Sequence, residues 1–186
     1  MKKNLLSLFG ACLMAMTVQA QVMTVNTTAS NYQKLAESNG GELAYNADFA
    51  GDTLKAMYVY VKSAGRRGSE TLHPWLMHTY DYDAQGLLTS RTTRYWVLGK
   101  WVPTSRLNYI LQADNYSIEY SRWNVRRARF DAPTDRMSYS LMADDQVCSV
   151  SFYHRNRGWQ PYQLEFQIEV SDLPLHMDEL ITQAAE

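Results

Sequence analysis

Cysteine is almost missing from this chain: Cys12 and Cys148 are the only two in 186 residues. Cys12 lies in an N-terminal stretch that reads as a removable leader. The remaining chain would then keep one thiol and no internal disulfide. Cys148 sits in an apolar run with Val147, Val150 and Phe152, so its thiol is expected to be buried. Without staples the fold must rest on its core, and about 166 residues are enough for one.

Long apolar runs are equally scarce. The only one, residues 5–18, is about 14 residues long, short of the roughly 20 that span a bilayer. Lys2 and Lys3 precede it and Val18-Gln19-Ala20 follows as a small-x-small cleavage signal. Residues 1–20 therefore read as a secretory signal peptide. A lipoprotein signal at Cys12 fits poorly, because Phe9 is a poor third residue and the apolar run continues past the cysteine. The expected address is outside the inner membrane: periplasm, cell surface or medium. No membrane span is expected in the exported chain.

Charge of one sign is lacking too. The formal net charge is −1, and removing Lys2 and Lys3 leaves 16 basic against 19 acidic residues, or −3. A nucleic-acid partner would call for a strongly basic domain and is not expected. The histidines are His73, His78, His154 and His176, and no pair has the i, i+4 spacing of a helical zinc site. No nucleophile elbow occurs. No catalytic residue, metal ligand or cofactor is assigned on this basis.

What is present is a period. Pro74, Pro103, Pro133 and Pro161 recur at intervals of 29, 30 and 28 residues. Trp101, Phe130 and Trp159 stand just ahead of three of them, and a strand-like run follows each. Turn signals separate the runs: Gly51-Asp52, Ala84-Gln85-Gly86, Leu98-Gly99-Lys100, Ala113-Asp114-Asn115 and Ala143-Asp144-Asp145. Residues 125–128 and 156–158 read as hairpin tips. The pattern predicts a mainly β fold: an antiparallel meander of about eight strands, built from about four hairpin repeats over residues 42–172. The prolines would mark the start of each return strand, where a missing N–H does little harm. Stacked repeats bury a core that no single unit could.

Several return strands alternate cleanly. Leu107, Tyr109 and Leu111 share one face, as do Met137, Tyr139 and Leu141, and Leu164, Phe166, Ile168 and Val170. The outgoing strands, 87–96 and 116–123, carry large aromatics at both parities. Either β-bulges shift the alternation or the sheet displays aromatics on both sides. Residues 21–41 read as an exposed polar lead-in. Ser30-Asn31-Tyr32-Gln33 there has capping-box spacing, consistent with a short helix over 30–38. Pro174 opens a final amphipathic segment, with Leu173, Met177, Leu180, Ile181 and Ala184 on one face, so a C-terminal helix is expected in 173–186.

Two groups of side chains could carry function. Arg122, Arg126, Arg127, Arg129 and Arg136 crowd one hairpin around Trp123 and Phe130. Arginine beside aromatic rings is what an anionic glycan or a nucleic-acid strand would meet, although such arginines also blunt a sheet edge. The tryptophans and tyrosines could stack on sugars or anchor a protein, or simply build the core. The ligand-binding set is taken as Trp96, Trp123, Arg122, Arg126, Arg127 and Tyr120. The partner would be a glycan or an envelope protein, in a non-enzymatic binding module. Two other readings stay open. One is a glycan hydrolase using Asp81, Asp83 or Asp144 with a histidine, which needs two carboxyl groups across a cleft. Asp is, however, a common turn residue. The other is an envelope component that self-associates through sheet edges.

The segments Tyr45-Asn46-Ala47-Asp48-Phe49, Tyr58-Val59-Tyr60, Leu72-His73-Pro74, Tyr80-Asp81-Tyr82-Asp83-Ala84-Gln85-Gly86-Leu87-Leu88-Thr89-Ser90, Leu107-Asn108-Tyr109 and Glu119-Tyr120-Ser121-Arg122-Trp123-Asn124 carry a resemblance. Over about residues 43–170 the chain resembles a family of small secreted Bacteroidetes proteins, domain of unknown function 3836. The resemblance implies a secreted β-rich protein and supplies no activity, so no functional residue is carried over. Residues 80–88 also look like one YD repeat, the hairpin unit of large secreted shells, which implies a similar hairpin geometry.

Overall fold

The computed structural model describes residues 23–37, 41–64, 70–112, 115–141 and 147–161. One helix, α1 (Val25–Glu37), precedes ten strands: β1 (Leu43–Ala50), β2 (Thr53–Ala64), β3 (Glu70–Tyr82), β4 (Leu88–Val97), β5 (Lys100–Gln112), β6 (Asn115–Asn124), β7 (Arg129–Phe130), β8 (Asp135–Leu141), β9 (Val147–Arg155) and β10 (Trp159–Pro161). They form a single antiparallel sheet in the order β1-β2-β3-β4-β5-β6-β8-β9-β10, with β7 pairing the outer end of β6. The meander is as expected, but it has ten strands rather than about eight. Strand β1 opens the expected β domain ahead of the first run read as a strand, and one expected return strand is divided into β7 and β8. The strand expected at 164–170 and the helix expected in 173–186 lie outside the described residues.

The helix sits at the N-terminal side and is longer than the sequence signal. Its cap is Thr24, not Ser30. The Thr27 N–H donates to Thr24 Oγ1 at 3.3 Å, and the Thr24 N–H donates to Thr27 Oγ1 at 2.6 Å. This is the reciprocal logic of a capping box with threonine in place of glutamate. The described part of the lead-in rests one side on the sheet. Leu88 N–H donates to Met23 O, and Val25 N–H donates to Gly86 O. Thr28, Tyr32 and Leu35, at offsets 0, 4 and 7, turn one helical face to the sheet. Gly86 has φ +79, a left-handed turn conformation that glycine adopts without strain.

Under the helix lies the core: Leu54, Met57, Val59, Tyr80 and Leu88, joined by Met23, Tyr32, Leu35, Tyr45 and Tyr109. The Tyr82 hydroxyl ties the layers together. It donates to Leu54 O at 3.1 Å and meets the Thr28 hydroxyl at 2.7 Å.

Bulges explain the outgoing strands. Lys55, Thr89 and Cys148 each stand opposite no partner, in β2, β4 and β9. Each shifts the alternation by one residue. Thus Leu88 and Arg91, three apart, both face the side of Tyr80 and Tyr82. A second set of bulges accompanies the prolines. Trp75 is the extra residue next to Pro74, and Thr104 is the extra residue next to Pro103. Pro133 lies in the break between β7 and β8, and only Pro161, at the end of β10, has no bulge beside it. The prolines therefore do not open the return strands: Pro74 is the fifth residue of β3 and Pro103 the fourth of β5. Pro74, Pro103 and Pro133 sit where the ladder is already interrupted, the interior place a strand tolerates them.

Candidate functional site

Cross-strand partners project to the same side of a sheet, so the register assigns two faces. The covered face carries Tyr45, Val59, Leu76, Tyr80, Leu107, Ile118 and Met137. The opposite face carries Asp48, Tyr58, Thr79, Asp81, Thr92, Arg94, Arg106, Asn108, Glu119, Ser121 and Arg136. No helix or second layer covers that open face among the described residues.

The open face is organised by rings and guanidinium groups. In the first cluster Trp96 and Trp101 meet edge to face at 4.9 Å, with Tyr58 6.0 Å from Trp101. The Tyr58 hydroxyl donates to Asp48 Oδ2 at 2.7 Å, and this bond, with partial burial, raises the phenol's pKa. In the second cluster Trp123 and Phe130 pack edge to face at 4.9 Å, and Arg106 lies 4.2 Å over the Phe130 ring. In the third, Arg136 lies 4.2 Å over Trp159 and pairs with Glu119. Trp101, Phe130 and Trp159, the aromatics that keep the proline period, all belong to this one face.

Hydroxyls line the floor between the clusters. Arg94 Nη1 donates to Thr79 Oγ1 at 2.7 Å, and Arg106 Nε donates to Thr92 Oγ1 at 3.1 Å. Burial lowers the Arg94 pKa, and the neighbouring Arg106 charge lowers it further. Two like charges held on neutral hydroxyls favour an anionic or strongly hydrogen-bonding visitor. All five tryptophans keep solvent exposure: Trp96 is exposed, and Trp75, Trp101, Trp123 and Trp159 are half-buried.

The six expected site residues are only partly brought together. Trp96 and Trp123 share the open face. Tyr120 and Arg122 project from the other side of β6, toward the side of Leu107 and Ser105. Arg126 and Arg127 lie exposed on the 125–128 turn, where Arg127 is 3.8 Å from Asp131. Arg94 and Arg106 were not among the expected residues. Their signal was a two-residue step within the threonine-rich β4 and its partner β5.

The aspartates and histidines take structural positions. Asp81 Oδ2 accepts from Ser90 Oγ at 2.6 Å. Asp83 lies in the turn, where its Oδ1 accepts from the N–H groups of Gln85 and Leu87, both at 2.9 Å. Asp144 lies outside the described residues. His73 and His78 project to the same side rather than to opposite sides, because the Trp75 bulge intervenes. His78 Nδ1 is 3.1 Å from Thr93 Oγ1, and His154 Nδ1 is 2.9 Å from Asp135 Oδ1. Among the described residues no group of three or more His, Cys, Asp or Glu could hold a metal ion, and no helix is long and apolar enough to cross a membrane.

A family model described as a family of unknown function, DUF3836, matches residues 14–141. The match starts and ends earlier than the 43–170 expected from the motifs. A solved protein of unknown function from Bacteroides fragilis has the same fold, at TM-score 0.58 and 24% identity, over 68% of this chain and 93% of that one. DUF3836 family proteins from Bacteroides vulgatus and Parabacteroides distasonis are also similar. The first is 20% identical over 48% of this chain and 89% of its own, at TM-score 0.44. The second is 16% identical over 54% and 92%, at TM-score 0.46. No curated protein matches the chain.

Proposed function

The chain belongs to the DUF3836 family, whose function is unknown, and on that footing we propose that it is an exported, non-enzymatic binding module holding the open face of its sheet against a glycan or an envelope protein. The observation that carries this reading is the open face itself: three ring clusters, two of them with an arginine over a ring, alternating with a hydroxyl floor. Rings stack on sugar faces, and hydroxyls and guanidinium groups take sugar oxygens. Export rests on the leader of residues 1–20.

A glycan array and affinity capture from envelope extracts, run side by side with wild type and Trp123→Ala, test the reading. Retention of a glycan or of one defined protein should fall by about tenfold in the variant, as for a central aromatic anchor. Equal retention by both proteins, or none by wild type, would sink it.

A further inference from the structure

The turns of a meander leave alternately at the two ends of the sheet. The β4–β5, β6–β7 and β9–β10 turns leave at one end, and the β1–β2 and β3–β4 turns at the other. The first end is basic, with Lys100, Arg126, Arg127, Arg129, Arg155 and Arg157, all exposed. Its acidic residues are engaged: Asp131 is held by Arg127 and Asn124, and Glu70 by Lys62. The opposite turns carry Asp52 and Asp83.

The basic end also carries aliphatic tips. Leu98 is 97% exposed and Val125 78%, with Val97 and Trp96 exposed beside Leu98. Leu98 sits at φ +49 ahead of Gly99 at +81. Both central residues of this turn are left-handed, where asparagine would rest more easily than leucine. A strained position thus displays a bare aliphatic side chain to solvent.

We infer that this end seats on an anionic lipid bilayer. Leu98 and Val125 enter the boundary between headgroups and acyl chains, and Arg126, Arg127 and Arg157 meet lipid phosphates. Apolar tips in a basic collar match a surface that is anionic outside and apolar beneath. A polysaccharide would use the arginines but offers nothing to fully exposed aliphatic tips. The contacts that carry it, Leu98, Val125 and the turn arginines, lie outside the ring clusters of the open face, so the assignment stands without the glycan reading.

The test is co-sedimentation of the chain from Gln21, which keeps every described residue, with vesicles of phosphatidylcholine alone and of phosphatidylcholine mixed with phosphatidylglycerol. Wild type should partition onto the anionic vesicles only and be released by high salt. Arg126→Gln with Arg127→Gln should weaken partition by about tenfold or more. Leu98→Asn should weaken it several-fold without lowering the melting temperature, which separates lost docking from lost folding. Partition onto neutral vesicles as strong as onto anionic ones, or unchanged partition in both variants, overturns the assignment. Equally tight binding to a soluble acidic polysaccharide, lost in the same variants, also overturns it and reassigns the end to a glycan.

Discussion

The two faces of this sheet use the same strands for opposite ends. On the covered face apolar side chains meet a helix, and the Thr28–Tyr82–Leu54 relay ties the two layers together. On the open face the large side chains meet each other instead, ring on ring and guanidinium on ring. Burial under a second layer stabilises the fold by removing apolar area from water. Packing within one layer leaves the rings partly exposed, so it adds less stability. The comparison teaches that the helix-covered core and the proposed binding surface fall on different parities of one backbone, with bulges setting which residue falls where.

That division can be broken most sharply at Leu54, which is 1% exposed. Leu54→Ala should lower unfolding free energy by about 3 kcal/mol, within the range for fully buried leucines. Urea denaturation followed by tryptophan fluorescence measures it. A loss below about 1 kcal/mol would mean that the helix-covered cluster is not the main core.

Tyr82→Phe tests the polar relay on the same face. The substitution takes the Tyr82 hydroxyl from Leu54 O and from Thr28, which keeps Thr24 O and Val25 O, at a loss of about 1.5 kcal/mol. Thr28→Val combined with Tyr82→Phe should cost less than the two single losses added together, because the pair shares one bond.

A pH series sharpens the comparison further. Burial raises the Tyr80 phenol well above its ordinary value of 10.0. The folded state then holds that proton while the unfolded state releases it. Stability is therefore full below about pH 10 and declines as pH rises from there toward the folded value. Tyr82 shifts the same way, burial again leading. Tyr80→Phe should flatten the alkaline limb of an unfolding curve, and an unchanged slope would place the alkaline sensitivity elsewhere.

The smallest effect is expected on the open face. Arg94→Gln should change stability by no more than about 1 kcal/mol, since it removes one partly exposed hydrogen bond and relieves repulsion from Arg106. If Arg94→Gln costs as much as Leu54→Ala, the open face is structural and its binding role loses its support.

Much of this fold was legible before any coordinates. The turn at Asp83–Gly86 and the alternation of Leu107, Tyr109 and Leu111 announced a meander, because period-two burial leaves a clear trace. What escaped was anything decided by one extra residue. Thr89 and Lys55 look like ordinary strand residues, yet each turns its strand over, and no propensity marks them. The helix start escaped because Thr27 supplied a hydroxyl where the motif asks for a carboxylate or amide. On the site, the period of Trp101, Phe130 and Trp159 was visible, but their common face was not, since it depends on the register of four hairpins. Arg122 and Trp123, by contrast, are neighbours in sequence and opposites in space simply because adjacent strand residues alternate faces.

The connection between Met23 and Tyr116 has a kinetic consequence. Successive strands pair with the strand just made, so the sheet can zip up locally. The Met23 N–H, by contrast, donates to the Tyr116 hydroxyl across 93 positions of chain, and Val25 waits for Gly86. The segment synthesised first thus completes its contacts late, after the hairpin that receives it exists. Until then the apolar floor beneath α1 stands bare.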